Sequence, residues 1–229
     1  MKLDRHADRF FTGKAWRVGT TALLIWTTIF EPISAQTPQT PGAAQTPVQA
    51  PGQVYSLSDL EYLLGPVALY PDSLLTLVLQ ASTFPLQIVQ ADRWISDNKD
   101  AVQKGDFSQV DSRPWDSSVL ALARFPDVIA MLADHLDWTE TLGTAFSAQA
   151  EDVANVIQIL RAKAESVGNL KSTPEQVVTS RDEGGARVIY IAPANPERIY
   201  VPMYDSSAVF SGAVTGALLF GAGVIVGSA

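Results

Sequence analysis

The sequence predicts a mainly α-helical, compact multi-helix domain, followed by a small antiparallel β-hairpin and a C-terminal Gly-rich apolar helix. Three observations predict it. The step Tyr70-Pro71-Asp72 leads into an apolar run, and a relative of it recurs at Phe125-Pro126-Asp127. Proline supplies a helical φ and has no N–H to leave unpaired, while Asp lies favourably near the positive end of the helix dipole. From Leu142 to Val167 the apolar residues follow a helical stripe, and after Gly168 the pattern turns β-branched and aromatic.

Composition narrows the functional classes. A chain of 229 residues that is 47% hydrophobic and 17% charged can bury a core, which separates it from disordered chains. Cysteine is absent, so disulfides, thiolate nucleophiles and Cys-based metal sites are excluded.

Lys2, Arg5, Arg9, Lys14 and Arg17 precede the apolar run Val18 to Phe30, and Ile33-Ser34-Ala35 offers a small residue at a cut. This is the layout of a signal peptide over 1–35, with cleavage after Ala35. The apolar run has 13 residues, short of the roughly 20 that an anchor helix needs. The expected location is therefore exported, in the periplasm or cell envelope. Cleavage removes five of the 16 Lys/Arg and three of the 24 Asp/Glu, leaving a net charge of about −10. Such a surface repels polyanions, so no nucleic acid is expected as a partner.

Residues 36–56 form a Pro-rich linker, densest from Gln36 to Gln53. The helical domain is expected over 57–169. Ser58 with Glu61 reads as a capping box, with Leu57 and Tyr62 as its staple, and Gly65-Pro66 interrupts that first helix. Leu74, Leu75, Val78 and Leu79 then share one face of a second, buried helix. Phe84-Pro85 redirects the chain into a third helix carrying Ile88, Asp92 and Ile95. The polar stretch Lys99 to Arg113 predicts one weak helix at most. Asp116 is an N-cap candidate for a short helix that stops at Phe125, before Pro126 opens the next. Asp137 with Glu140 is expected to cap the longest helix, which runs unbroken to Gly168-Asn169.

Residues 170–207 form the β segment, with Val177-Val178-Thr179, Arg187 to Ile191 and Arg198 to Val201 separated by Gly184-Gly185 and Pro193 to Pro196. They read as a hairpin with a third strand as an option. Residues 208–229 hold no charge and five glycines from Gly212 to Gly227, so the expectation there is an apolar helix with possible membrane contact.

The blocks ALYPDSLLTLVLQASTFPLQIVQADRW (68–94), WDSSVLALARFPDVIAMLADHLDW (115–138) and IYIAPANPERIYVPMYDSS (189–207) resemble an uncharacterised bacterial family, the domain of unknown function DUF 3300. The resemblance covers about residues 57 to 225. It implies an exported protein of Gram-negative bacteria with a helical domain, a β segment and a Gly-rich apolar segment, often followed by a long low-complexity tail. It carries no activity, and hence no catalytic residue.

The residues assign no catalytic, cofactor-binding or metal position. His135 is the single histidine after the expected cleavage, and Asp134 and Asp137 beside it read as solvated or capping. Asp72, Asp116, Asp127 and Asp137 lie at helix starts, and Asp92 in an apolar helix is expected to form a buried ion pair with Arg93 or Arg124. Trp94, Trp115, Trp138, Tyr70, Phe84 and Phe125 could line a groove, but core and staple roles are preferred. The preferred function is a non-enzymatic envelope module that binds an envelope protein or itself. The alternative is a carboxylate-dependent cell-envelope hydrolase.

Overall fold

A computed structural model describes residues 55–211 and 218–225 of the chain. The expected signal peptide and all but the last two residues of the linker lie outside the described residues.

Helix α1 (Leu57–Leu64) is capped by Ser56, two residues before the expected cap Ser58. Ser56 Oγ accepts from the Asp59 N–H at 3.2 Å, and Asp59 Oδ2 accepts from the Ser56 N–H at 3.1 Å. This box has the same spacing as Ser58 with Glu61, and it turns Leu60, Leu63 and Leu64 inward. Leu57 and Tyr62 stay exposed, so no staple forms between them.

Helix α2 (Asp72–Ala81) buries Leu74, Leu75, Val78 and Leu79, as the periodicity requires. Helix α3 (Pro85–Asp97) follows a bend of 111°. Among the described residues no single helix is long and apolar enough to cross a membrane; α2 and α3 pass that test only as a bent pair, and their apolar faces serve the core. The polar stretch holds two short pieces, α4 (Lys99–Gln103) and α5 (Ser108–Asp111). Helices α6 (Ser117–Leu122) and α7 (Pro126–Asp134) then begin where Asp116 and Pro126 place them. The two aromatic-Pro-Asp steps are not equivalent, because Pro71 is an N-cap whereas Pro126 is already the first helical residue.

The expected longest helix is instead two, α8 (Leu136–Ala148) and α9 (Ala150–Ser166), broken at Gln149, whose φ is −140° and ψ 47°. Gln149 Oε1 accepts from the Tyr55 N–H at 2.7 Å, and its Nε2 donates to the Tyr55 carbonyl at 3.3 Å. The break thus supplies partners for the backbone that enters the domain. Asp137 lies in the first turn of α8 after His135, and does not cap it. Helix α1 packs on α8 and α9, α2 on α6, and α3 on α7 around one large core.

Strands β1 (Gln176–Glu183) and β2 (Ala186–Pro193) form the expected antiparallel hairpin, in register from Gln176 opposite Pro193 to Glu183 opposite Ala186. Gly184 and Gly185 turn it with φ of 59° and 87°, the left-handed pair that tight hairpins favour. Ile189 and Ile191 pack it onto Leu69, Ala164 and Leu170.

The third segment does not join this hairpin. Its pieces β3 (Arg198–Ile199) and β4 (Pro202–Met203) are followed by a helical turn, α10 (Ser206–Val209). They pair with β6 (Val224–Ile225) and β5 (Leu219–Phe220) respectively. Tyr200 and Val201 thereby face three residues, Gly221, Ala222 and Gly223, so the two ladders form one ribbon with a bulge.

This corrects the expected C-terminal helix over 208–229, since the described part of that stretch is a helical turn and two short strands. Glycine costs a helix about 1 kcal/mol per residue relative to alanine, and the intervening Val, Ile, Leu and Phe favour a pleated surface. At Gly223 an added Cβ would approach Tyr200 Cε1 and Arg198 Cδ to 2.6 Å, so a larger residue would require these side chains to move.

Gly143 in α8 makes an equally close contact: a Cβ there would come within 2.3 Å of the Ser82 carbonyl oxygen. Helix propensity alone would favour Gly143→Ala by about 1 kcal/mol. The clash reverses the sign, and urea denaturation of Gly143→Ala should show a loss of about 1–3 kcal/mol.

Candidate functional site

Helix α9 buries Val153, Val156, Ile157, Leu160 and Ala164, and within the same stripe it buries Arg161 to 2% exposure. A buried guanidinium is tolerable only if its donors and its charge are matched. Nε donates to the Ala68 carbonyl at 2.9 Å and Nη2 to the Tyr70 carbonyl at 3.1 Å. Nη1 donates to the Ile189 carbonyl at 2.9 Å and to Asp72 Oδ1 at 2.6 Å. The second carboxylate oxygen, Asp72 Oδ2, accepts from the Ile191 N–H at 3.1 Å.

Gln158, one turn earlier on α9, continues this pattern along β2: its Oε1 accepts from the Ile189 N–H at 2.8 Å and its Nε2 donates to the Ile189 carbonyl at 3.2 Å. Side chains of the helical domain thus take the place of a neighbouring strand. Tyr204 ties the ribbon to the same loop, its hydroxyl accepting from the Leu69 N–H at 3.2 Å and donating to the Gly65 carbonyl at 2.9 Å. Burial pushes the Tyr204 phenol well above its ordinary range and that of Tyr70 to about 12, so both remain neutral.

The step Ala68 to Asp72 is therefore an acceptor cradle for Arg161, and Asp72 is the carboxylate paired with that buried guanidinium. The sequence reading gave that role to Asp92. Asp92 is half-buried on α3 with no ion pair among the described residues, and Arg124 pairs with Asp111 at 2.9 Å. The signal that pointed to Arg161 was available: a long basic residue between Ile157 and Ala164 on an otherwise apolar face.

The other sequence candidates do not converge. Asp116 caps α6 through the Ser118 N–H at 2.9 Å, and bonds from the Ser118 hydroxyl and backbone hold its carboxyl below the ordinary range, opposite to what a general acid needs. Asp127, Asp134, His135 and Asp137 are exposed around the two ends of α7. Trp94 is buried beside Phe107, Trp115 Nε1 donates to Gln90, and Trp138 Nε1 donates to the Leu63 carbonyl. Tyr70 is a core residue and Phe84 is partly exposed, and Phe125 lines an open groove. Among the described residues no three His, Asp or Glu side chains are grouped to hold a metal ion.

That groove is open and apolar, about 640 Å³, with Leu77 of α2, Leu120 of α6, Phe125, Pro193, Pro196 and Ile199 in its walls. Arg124 on its wall is already matched by Asp111, by the Leu120 carbonyl at 2.9 Å and by the Phe107 ring at 5.5 Å. The groove suits an uncharged, apolar occupant better than an anion.

The described fold is thus a helical domain bound through one buried arginine to a β-hairpin and through Tyr204 to a bulged ribbon, with its candidate acids engaged in structure or solvated. The chain belongs to the family described as Protein of unknown function (DUF3300), which matches residues 56–215. It is 34% identical over 203 residues to the "Uncharacterized protein YacH" of Escherichia coli (strain K12), an alignment covering 74% of this chain and 33% of that protein. The chain therefore spans about a third of that relative's length. No solved structure matches.

Arg161→Met should lower unfolding free energy by about 3–5 kcal/mol, because three carbonyls and a carboxylate lose their donor. Asp72→Asn should cost less, about 1–3 kcal/mol, since the Asp72 side chain is 41% exposed and Arg161 keeps three carbonyls. Denaturation of both variants and the double mutant should reveal coupling.

A second expectation concerns acid. Asp106, Asp116 and Asp205 each accept from the N–H and hydroxyl of the serine two residues on, and those bonds lower all three carboxyl pKa values. A depressed folded-state pKa contributes stability that is complete above the unfolded value near 3.9 and is lost as pH falls through the folded value. Thermal melts should therefore shift downward below about pH 4, and less so in the triple Asp→Asn variant.

Proposed function

We propose that this chain is an exported cell-envelope protein whose folded part is a non-enzymatic interaction or structural module. The observation that carries the reading is the state of its carboxylates. Asp72 is engaged by Arg161 and the Ile191 N–H, Asp116 by Ser118, and Asp127 and Asp137 are exposed in first helical turns. Glycoside cleavage needs two carboxyl groups facing one bond, one of them with a raised pKa. The groove beside Phe125 is instead apolar, with its one arginine matched by Asp111, which suits contact with another macromolecule. The partner in this reading is an envelope protein or a second copy of the chain. Export is supported by the basic start and the apolar run before Ala35.

The test is fractionation of cells expressing the chain with its own N-terminus, N-terminal sequencing of the product, and in-cell cross-linking. A product starting at Gln36 in the periplasmic or envelope fraction, cross-linked to a defined protein, is expected. An unprocessed cytoplasmic product overturns the export reading. Loss of a cellular phenotype in Asp92→Asn at unchanged thermal stability would overturn the non-enzymatic one.

A further inference from the structure

The polar stretch 99–113 is the cover of Trp94. Among its residues only Val110 is buried, and Ala101, Val102 and Phe107 are half-buried. Val102, Phe107 and Val110 pack with Trp94 in a small cluster distinct from the main core, the Phe107 ring centroid 6.3 Å from that of Trp94. Helices α4 and α5, of five and four residues, are too short to be stable without that contact.

Two features weaken the cover. Trp94 Nε1 is buried with no acceptor among the described residues, so closure strips water from an N–H and returns no bond to it. The second feature is how the stretch is tied down. Among the described residues its hydrogen bonds run within the stretch or back to Asn98, with one exception. Asp111 Oδ1 and Oδ2 accept from Arg124 Nη2 at 2.9 and 3.1 Å. The Arg124 guanidinium also lies 5.5 Å from the centre of the Phe107 ring, so one side chain holds the stretch at two points. With the Asp111 side chain 49% exposed, water and salt screen that pair.

Low burial, local backbone bonds and a single exposed ionic tie mark a segment that opens below the free energy of global unfolding. We infer that residues 99–113 form a strap that swings off Trp94 as one unit, with the Arg124–Asp111 pair as its latch. Opening also changes the apolar groove beside Phe125. Arg124 stands in the wall of that groove, and release of Asp111 and Phe107 leaves its charge unmatched there. The strap thus sets the charge of the groove wall, neutral when closed and cationic when open.

Native-state hydrogen exchange followed by NMR on the full chain tests it. Val110 supplies the decisive amide, since it is buried and bonded to the Phe107 carbonyl at 2.8 Å and would exchange slowly in a rigid structure. Its amide and the Trp94 indole N–H should exchange through one shared opening, about tenfold or more faster than the amide of Leu160 in α9. Asp111→Asn should speed Val110 exchange by about two- to fivefold at unchanged melting temperature, and about 1 M NaCl should do the same to the wild type but not to the variant. Glu165→Gln, which removes the comparably exposed pair with Arg187, is the control and should leave Val110 unchanged. Should Asp111→Asn lower global stability, the salt dependence of the wild type carries the comparison. Val110 exchanging only together with Leu160 overturns the inference, because the stretch then opens only on global unfolding. So does exchange of Val110 without Trp94, which would be fraying of α5 alone. A Val110 rate that neither salt nor Asp111→Asn changes also overturns it, since the strap would then have no such latch.

Discussion

The fold depends on one requirement, that the guanidinium of Arg161 be fully matched where α9 buries it. Desolvating that charge is costly, and the chain meets the cost with three carbonyls and one carboxylate drawn from two distant segments. Those partners are the 68–72 loop and β2, so satisfying a single side chain also specifies how the hairpin docks. Asp72 completes the arrangement by serving both Arg161 and the Ile191 N–H. Removing either end of the pair is therefore different from removing an exposed pair such as Lys163 with Glu61 or Arg187 with Glu165, which water and salt largely screen.

The β elements are stabilised in two different ways. A two-stranded hairpin is marginal in water, and here the helical domain completes it: Ile189 and Ile191 are buried against Leu69 and Ala164, and polar side chains cap the β2 edge. The ribbon is held by Ile199 and Val224 on its inner side and by the Tyr204 hydroxyl, which bridges Gly65 and Leu69. At Gly223 the Arg198 and Tyr200 side chains lie where a Cβ would stand, and from Ser206 to Ala229 there is no charged residue. The same composition that reads as a membrane helix thus yields, among the described residues, two short strands paired with β3 and β4.

Much of the helical half was legible because proline, capping residues and 3.6-residue periodicity act locally. Pro85, Asp116 and Pro126 mark helix starts where the structure has them, and Gly184-Gly185 marks the hairpin turn. The misreadings share a cause. Helical periodicity continues through Gln149, so nothing local reveals that its side chain breaks the helix to meet Tyr55, 94 residues away. Asp92 and Asp72 look alike as acids in or beside apolar helices, and only the position of Arg161 across 89 residues distinguishes them.

By itself the sequence determined the mainly helical class, the starts of α2, α3, α6 and α7 and the hairpin, because these follow from φ preferences, caps and the spacing of apolar groups. It also determined that cysteine chemistry is absent and that the net charge is negative. Tertiary structure decided which carboxylate is buried with a cation, where the long helix breaks and what becomes of the glycine-rich end. Each of those outcomes depends on a partner far away in the chain, since burial, charge matching and close backbone approach are properties of pairs.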